Sequence, residues 1–161
     1  MTEKFIFQES QKSLSQKIYL WPMLFGFGLF VGFYVKADFQ ADSDRIGYIL
    51  TILFYVLICV VLLATKLETS ITSSKITVQF KPFQRKPISY ALEDIATWKV
   101  RKYRPIAEYG GWGIRFGLKG KRAYSIAGRY GIDLKLKNGK IVLIGTQIPE
   151  EAERAMTKLF G

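Results

Sequence analysis

A membrane-embedded α-helical hairpin of two spans, followed by a mainly-β domain that ends in a C-terminal α-helix, is the fold class this sequence predicts. Three observations carry it. Two uncharged apolar runs, 18–35 and 46–65, follow a short polar lead and are separated by ten residues. Past Thr65 the apolar residues stop being continuous and begin to alternate, the period of a half-buried strand. The last dozen residues carry one apolar stripe at helical spacing.

Residues 1–17 are polar and mixed in charge, with Phe5, Ile6 and Phe7 as a short apolar patch. Leu14 and Ile18 continue a helical face, so the segment reads as a cytoplasmic lead lying along the membrane interface. The first span, 18–35, is bracketed by Lys17 and Lys36, with Tyr19, Trp21 and Tyr34 near its ends, where amphipathic rings favour the interface. Pro22 falls in the first turn or so, where a missing N–H costs least. Gly28 and Gly32 have the GxxxG spacing that lets helices approach closely, with either the second span or another copy of the chain as partner. Val35-Lys36-Ala37 is a passable cleavage site, but the apolar run is longer than the roughly 7–15 residues of a signal-peptide core, and a second span follows at once.

The second span, 46–65, lies between Arg45 and Lys66. As a helix its twenty residues rise about 30 Å, the hydrocarbon thickness of a bilayer. The connector KADFQADSDR is too short for a domain, so the spans form an antiparallel hairpin within 18–66. Three basic residues precede the first span (Lys4, Lys12, Lys17) and two lie in the connector (Lys36, Arg45). Four more follow closely after the second (Lys66, Lys75, Lys81, Arg85). This bias predicts a multi-pass protein of the inner membrane with both termini cytoplasmic.

Within 67–161, Leu67 to Thr72 reads as a strand and Ser73-Ser74 as its turn. Ile76, Val78 and Phe80 alternate with polar residues in the next strand, and a further strand covers Lys86 to Tyr90. Leu92 to Ile95 has the look of a single helical turn before a long strand from Ala96 to Tyr103, which Pro105 ends. Short strands follow at 112–118 and 122–126. Ile132, Leu134 and Leu136 alternate ahead of Asn138-Gly139, a hairpin signal of the two-residue type I′ kind. Lys140 to Gly145 returns as a strand. Pro149 suits the first position of the last helix, Glu150 and Glu151 face the positive end of its dipole, and Ala152, Ala155, Met156, Leu159 and Phe160 form its stripe.

The segments WKVRKYRPIAEYGGWGIR and GIDLKLKNGKIVLIGTQIPEE, together with the strand order, terminal helix and leading hairpin, resemble the bacterial PH-domain-like membrane proteins. The resemblance implies a PH-like barrel closed by the helix, at a membrane, in a binding or scaffolding role. It carries over no catalytic residue.

From Lys66 onward there are 19 Lys/Arg against 8 Asp/Glu, so the whole formal charge of +11 lies in this C-terminal part of the chain. Such a surface favours anionic partners: lipid headgroups, acidic protein segments or nucleic acid. Nucleic acid is the weakest of these, because no RNP, KH or helix-turn-helix signature is present. With no His and a single Cys59, there is no Cys/His metal site and no intrachain disulfide, and the commonest general base is missing. The glycine-rich Gly110-Gly111-Trp112-Gly113 fits no nucleotide-binding pattern. A non-enzymatic protein without metal or cofactor is therefore expected.

Two basic groups are candidate contacts for an anionic lipid or partner. Arg101, Arg104 and Arg115 stand among Tyr103, Tyr109 and Trp112, a composition suited to acidic groups, although rings that merely fill a barrel mouth while Glu108 pairs with an arginine would read the same. Lys81, Arg85 and Lys86 in one loop, and Lys119, Lys121 and Arg122 in another, are placed to meet headgroups. The expected function is a membrane-anchored binding module engaging headgroups or a membrane or cytoplasmic protein. The alternative is an accessory subunit of a larger complex, including a homo-oligomer.

Overall fold

The structure is a computed structural model that describes residues 5–12, 17–36, 42–117 and 120–161; Lys4, Leu14, Ala37 and Lys119 lie outside the described residues. The chain is mixed α/β and divides into two compact units: Met1–Lys12 with Thr65–Gly161, and Ser13–Ala64.

The helical unit holds α1 (Lys17–Lys36) and α2 (Asp42–Ala64). Among the described residues one run, Arg45–Ala64, is long and apolar enough to cross a membrane, with mean hydropathy 2.8. The described apolar stretch of α1, Met23–Tyr34, is shorter. Aromatic side chains hold the two helices together: Tyr48 donates its hydroxyl to the carbonyl of Phe30 and Tyr55 donates to that of Met23. The ring of Tyr34 stacks on that of Tyr48 at 5.0 Å. The close glycine is Gly26, where a Cβ would come within 2.9 Å of the Tyr55 hydroxyl oxygen. Gly28 and Gly32 have no described atom within 4 Å of where a Cβ would stand, so their spacing does not form the α1–α2 contact.

The folded unit contains two antiparallel-based sheets. The first has the order β1-β2-β3-β4, from β1 (Phe5–Lys12), β2 (Lys66–Thr72), β3 (Lys75–Lys81) and β4 (Ile88–Ala91). The N-terminal lead is thus an edge strand. Phe7, Glu9 and Gln11 point inward on β1, while Lys12 stands opposite Lys66, so residues 13–64 leave and return at one end of a paired β1–β2 ladder. A 3₁₀ turn, Leu92–Asp94, then leads the chain into the second sheet, whose order is β5-β8-β9-β7-β6. Its strands are β5 (Ile95–Lys102), β6 (Gly113–Phe116), β7 (Lys121–Ser125), β8 (Tyr130–Leu136) and β9 (Ile141–Thr146). The pair β7–β9 is parallel.

Both sheets bury one apolar face in a common core. Leu67, Ile71, Ile76 and Val78 from the first meet Ile132, Leu134, Val142 and Ile144 from the second. The C-terminal helix α4 (Pro149–Phe160) adds Ala152, Ala155 and Met156, so its stripe finds the partner it requires. Burying such a side chain is worth roughly 1.5–3 kcal/mol, which is why this two-sided core sets the fold.

The expected closed barrel is not formed. Among the described residues no backbone ladder joins the sheets: β4 is four residues long and the 3₁₀ turn follows it directly. At the other edge β1 reaches β9 with side chains instead. Gln11 Nε2 donates to the Gly145 carbonyl at 2.7 Å, and the Glu9 carboxylate accepts from Thr146 Oγ1 at 2.7 Å and the Gln147 N–H at 2.8 Å.

The Asn138-Gly139 turn also differs from the two-residue form. Leu136 and Lys140 close a three-residue loop in which Gly139 takes the left-handed conformation, φ 80°, so the loop is one residue longer than the type I′ turn. A short helix, α3 (Pro105–Tyr109), stands between the long strand and the next, in a stretch for which the sequence predicted no element; Pro105 starts it and the left-handed Gly110 ends it.

Candidate functional site

Sheet two is covered on its outer face by the segment that follows β5. Tyr103 and Tyr109 pack edge to face at 6.1 Å over Ala123 and Leu143, a second small core. Ionic bonds pin this segment to the sheet. Arg101 Nε donates to Asp133 Oδ2 at 2.7 Å and an Arg101 terminal nitrogen donates to Glu108 Oε2 at 2.8 Å. The other Glu108 oxygen accepts the Arg104 backbone N–H at 2.7 Å, closing the start of α3.

Charge follows this geometry. Burial opposes ionisation of Arg101, but Glu108 and Asp133 outweigh it and hold the guanidinium more firmly protonated than usual. The hydrogen bond from Arg101, helped by the Arg104 N–H, holds the Glu108 carboxyl below the ordinary glutamate range. Burial raises the phenols of Tyr103 and Tyr109. Arg101 is therefore committed to the protein itself. The reading in which Glu108 pairs with an arginine describes this residue; a free anion contact does not.

Beside the network lies a groove of about 670 Å³ lined by Lys102, Tyr103, Arg104, Ile106, Trp112 and Arg129, with Glu108 at its wall. Trp112 is fixed there by its indole N–H, which donates to the Gly128 carbonyl at 3.0 Å, and Ile106 is 71% exposed. Lys102, Arg104 and Arg129 are exposed and make no ion pair among the described residues. The groove thus offers three cations and an apolar floor, with its one carboxylate already engaged. Such a wall can hold an anionic group next to an apolar one. Arg115 stands apart, exposed on β6, with its Nε bonded to the Trp112 carbonyl at 2.8 Å.

The loop residues form a second surface. Lys12, Lys66 and Lys81 lie in one row across the first sheet, and Glu68 bridges Lys66 and Lys81 at 2.6 and 2.7 Å. These lysines hold the Glu68 carboxyl below its ordinary range, Lys66 first. Arg85 and Lys86 are exposed in the turn that follows Lys81. On the β6–β7 hairpin of the second sheet Arg122 lies over the Phe116 ring at 5.3 Å, and Lys121 is exposed beside it. Sequence reasoning missed Arg129 and Ile106 in the groove. Arg129 lies 25 residues beyond Arg104, and only the β5–β8 pairing of Lys102 with Tyr130 brings them together.

In comparisons with known proteins, no family model, no curated protein and no solved structure matches this chain.

Proposed function

We propose that this chain is a membrane-anchored, non-enzymatic binding module whose hairpin crosses the inner membrane twice and whose folded unit works at the cytoplasmic face. One observation carries it: β1 and β2, on either side of residues 13–64, are hydrogen-bonded neighbours. Paired strands share one side of a membrane, so the segment between them must cross it an even number of times. If α2 crosses, α1 crosses back. The exposed apolar side chains of both helices support a hydrocarbon surrounding, since Phe25, Leu29, Leu53, Phe54 and Leu57 have no core to enter. The place of residues 5–12 in the sheet also supports retention of the first span, because cleavage after Ala37 would detach β1.

The groove supports an anionic ligand, either a lipid headgroup or an acidic stretch of a protein partner. Two sheets on one core with a terminal helix support the likeness to the PH-domain-like proteins. Full-length protein purified in mild detergent, with co-purifying lipids and proteins identified by mass spectrometry, tests the binding role. Lys102→Glu with Arg104→Glu and Arg129→Glu should deplete an anionic lipid or a defined acidic protein from the bound set. An unchanged set would overturn the assignment of the groove.

The second reading, an accessory subunit or homo-oligomer, is favoured by the open face at Gly28 and Gly32. A solubilised mass larger than one chain would support it.

A further inference from the structure

The turn between β3 and β4 is unusually well fixed for a surface loop. The Gln84 N–H donates to the Phe80 carbonyl at 2.8 Å and the Gln84 side chain accepts the Phe80 N–H at 2.8 Å. Gln79 Nε2 reaches the carbonyls of Gln84 and Arg85 at 3.1 and 3.2 Å. The turn nevertheless presents Phe83 with 60% of its surface exposed, between Lys81 and the pair Arg85 and Lys86. A rigid turn that displays an aromatic ring among cations is arranged for an interface between water and apolar matter.

Its location identifies that interface. The register Lys12↔Lys66↔Lys81 puts this turn at the end of the sheet where residues 13–64 leave and return, and Lys66 follows the last residue of α2 by two positions. The carboxylate on this row, Glu68, is already bound by two lysines.

Resting on the membrane-anchored reading, we infer that this turn of the folded unit is a lipid-contacting face, with Phe83 entering the headgroup layer and Arg85 and Lys86 meeting anionic phosphates. The ligand is the anionic leaflet itself. The contact fixes how the module stands on the surface and leaves the groove to its own partner.

The test uses the full chain in vesicles of phosphatidylcholine with about a third phosphatidylglycerol. An environment-sensitive fluorophore is placed on Cys59, the only cysteine, or, in Cys59→Ser, on Phe83→Cys or Glu93→Cys. Glu93 is exposed beside the opposite end of the sheet, where Lys75 pairs with Ala91, and serves as control. A headgroup-level nitroxide should quench position 83 at least about threefold more than position 93. Arg85→Gln with Lys86→Gln should reduce the difference. Equal quenching at 83 and 93, with Cys59 quenched by an acyl-chain nitroxide, would overturn this face and leave the anchor standing. An unquenched Cys59 would overturn the anchor, and this inference with it.

Discussion

The two units treat the same kind of side chain in opposite ways. Leu134 in β8 is fully buried, whereas Leu57 in α2 is 58% exposed, and in the run Arg45–Ala64 only 6% of the residues are buried. The folded unit makes its own apolar environment. The helical unit leaves its apolar side chains exposed. Its apolar residues surround the helix instead of forming a stripe, so neither helix can be satisfied by the other alone.

That contrast is open to direct attack. Leu134→Ala should cost about 2–5 kcal/mol in unfolding of the folded unit, read by denaturant titration, while Leu57→Ala in the same assay should cost under about 0.5 kcal/mol. Leu57→Lys should reverse the ranking in a membrane-insertion assay, at about 2.5–3.5 kcal/mol for a cation near the helix centre. Equal effects of Leu134→Ala and Leu57→Ala on unfolding would mean that α2 packs in a protein core.

Within the folded unit the polar attachments rank next. Glu9→Ala should cost about 1–3 kcal/mol, because Thr146 Oγ1 and the Gln147 N–H lose their acceptor, and it should loosen β1 in hydrogen exchange before the other strands. Arg101→Ala should cost a similar amount, since it leaves the Asp133 carboxylate buried and unpaired.

The smallest effect is that of pH. The Glu108 carboxyl is lowered by its bonds to Arg101 and the Arg104 N–H, so its contribution is full above its ordinary value of 4.5. The contribution is lost as pH falls through the lower folded value. With its side chain 35% exposed, solvent screening holds that contribution to about 0.5 kcal/mol or less. Glu108→Gln should therefore flatten the acid limb of a stability profile slightly and leave the neutral region nearly level.

Most elements of the folded unit could be read from the chain because its inner strands obey alternation. Ile76, Val78 and Phe80 are buried and Thr77 and Gln79 are not, and the 3₁₀ turn and α4 stand where their residues indicated. β1 could not be read in this way. Two of its three inward residues are Glu9 and Gln11, so the strand carries no apolar period; its ladder is with β2, and the partners of these two side chains lie more than 130 positions away. α3 was hidden for another reason: five residues are too few to show a helical period, and only Pro105 and Gly110 mark its ends. The barrel stays open because, among the described residues, no ladder joins the edge strands β1 and β4 of the first sheet to β5 and β6 of the second, and no pattern of apolar residues records which edges pair. Of the candidate site, the cations were visible in the sequence. Their sorting into one engaged arginine, a groove and a sheet end depends on register.

The most direct measurement is the sidedness of three single cysteines in the Cys59→Ser background: Ser10→Cys in β1, Gln40→Cys in the connector and Glu153→Cys in α4. An impermeant maleimide added to intact cells should label position 40 alone, with positions 10 and 153 reacting together only after permeabilisation. Labelling of positions 10 and 153 from opposite sides would contradict the paired β1–β2 ladder and the even number of crossings that follows from it.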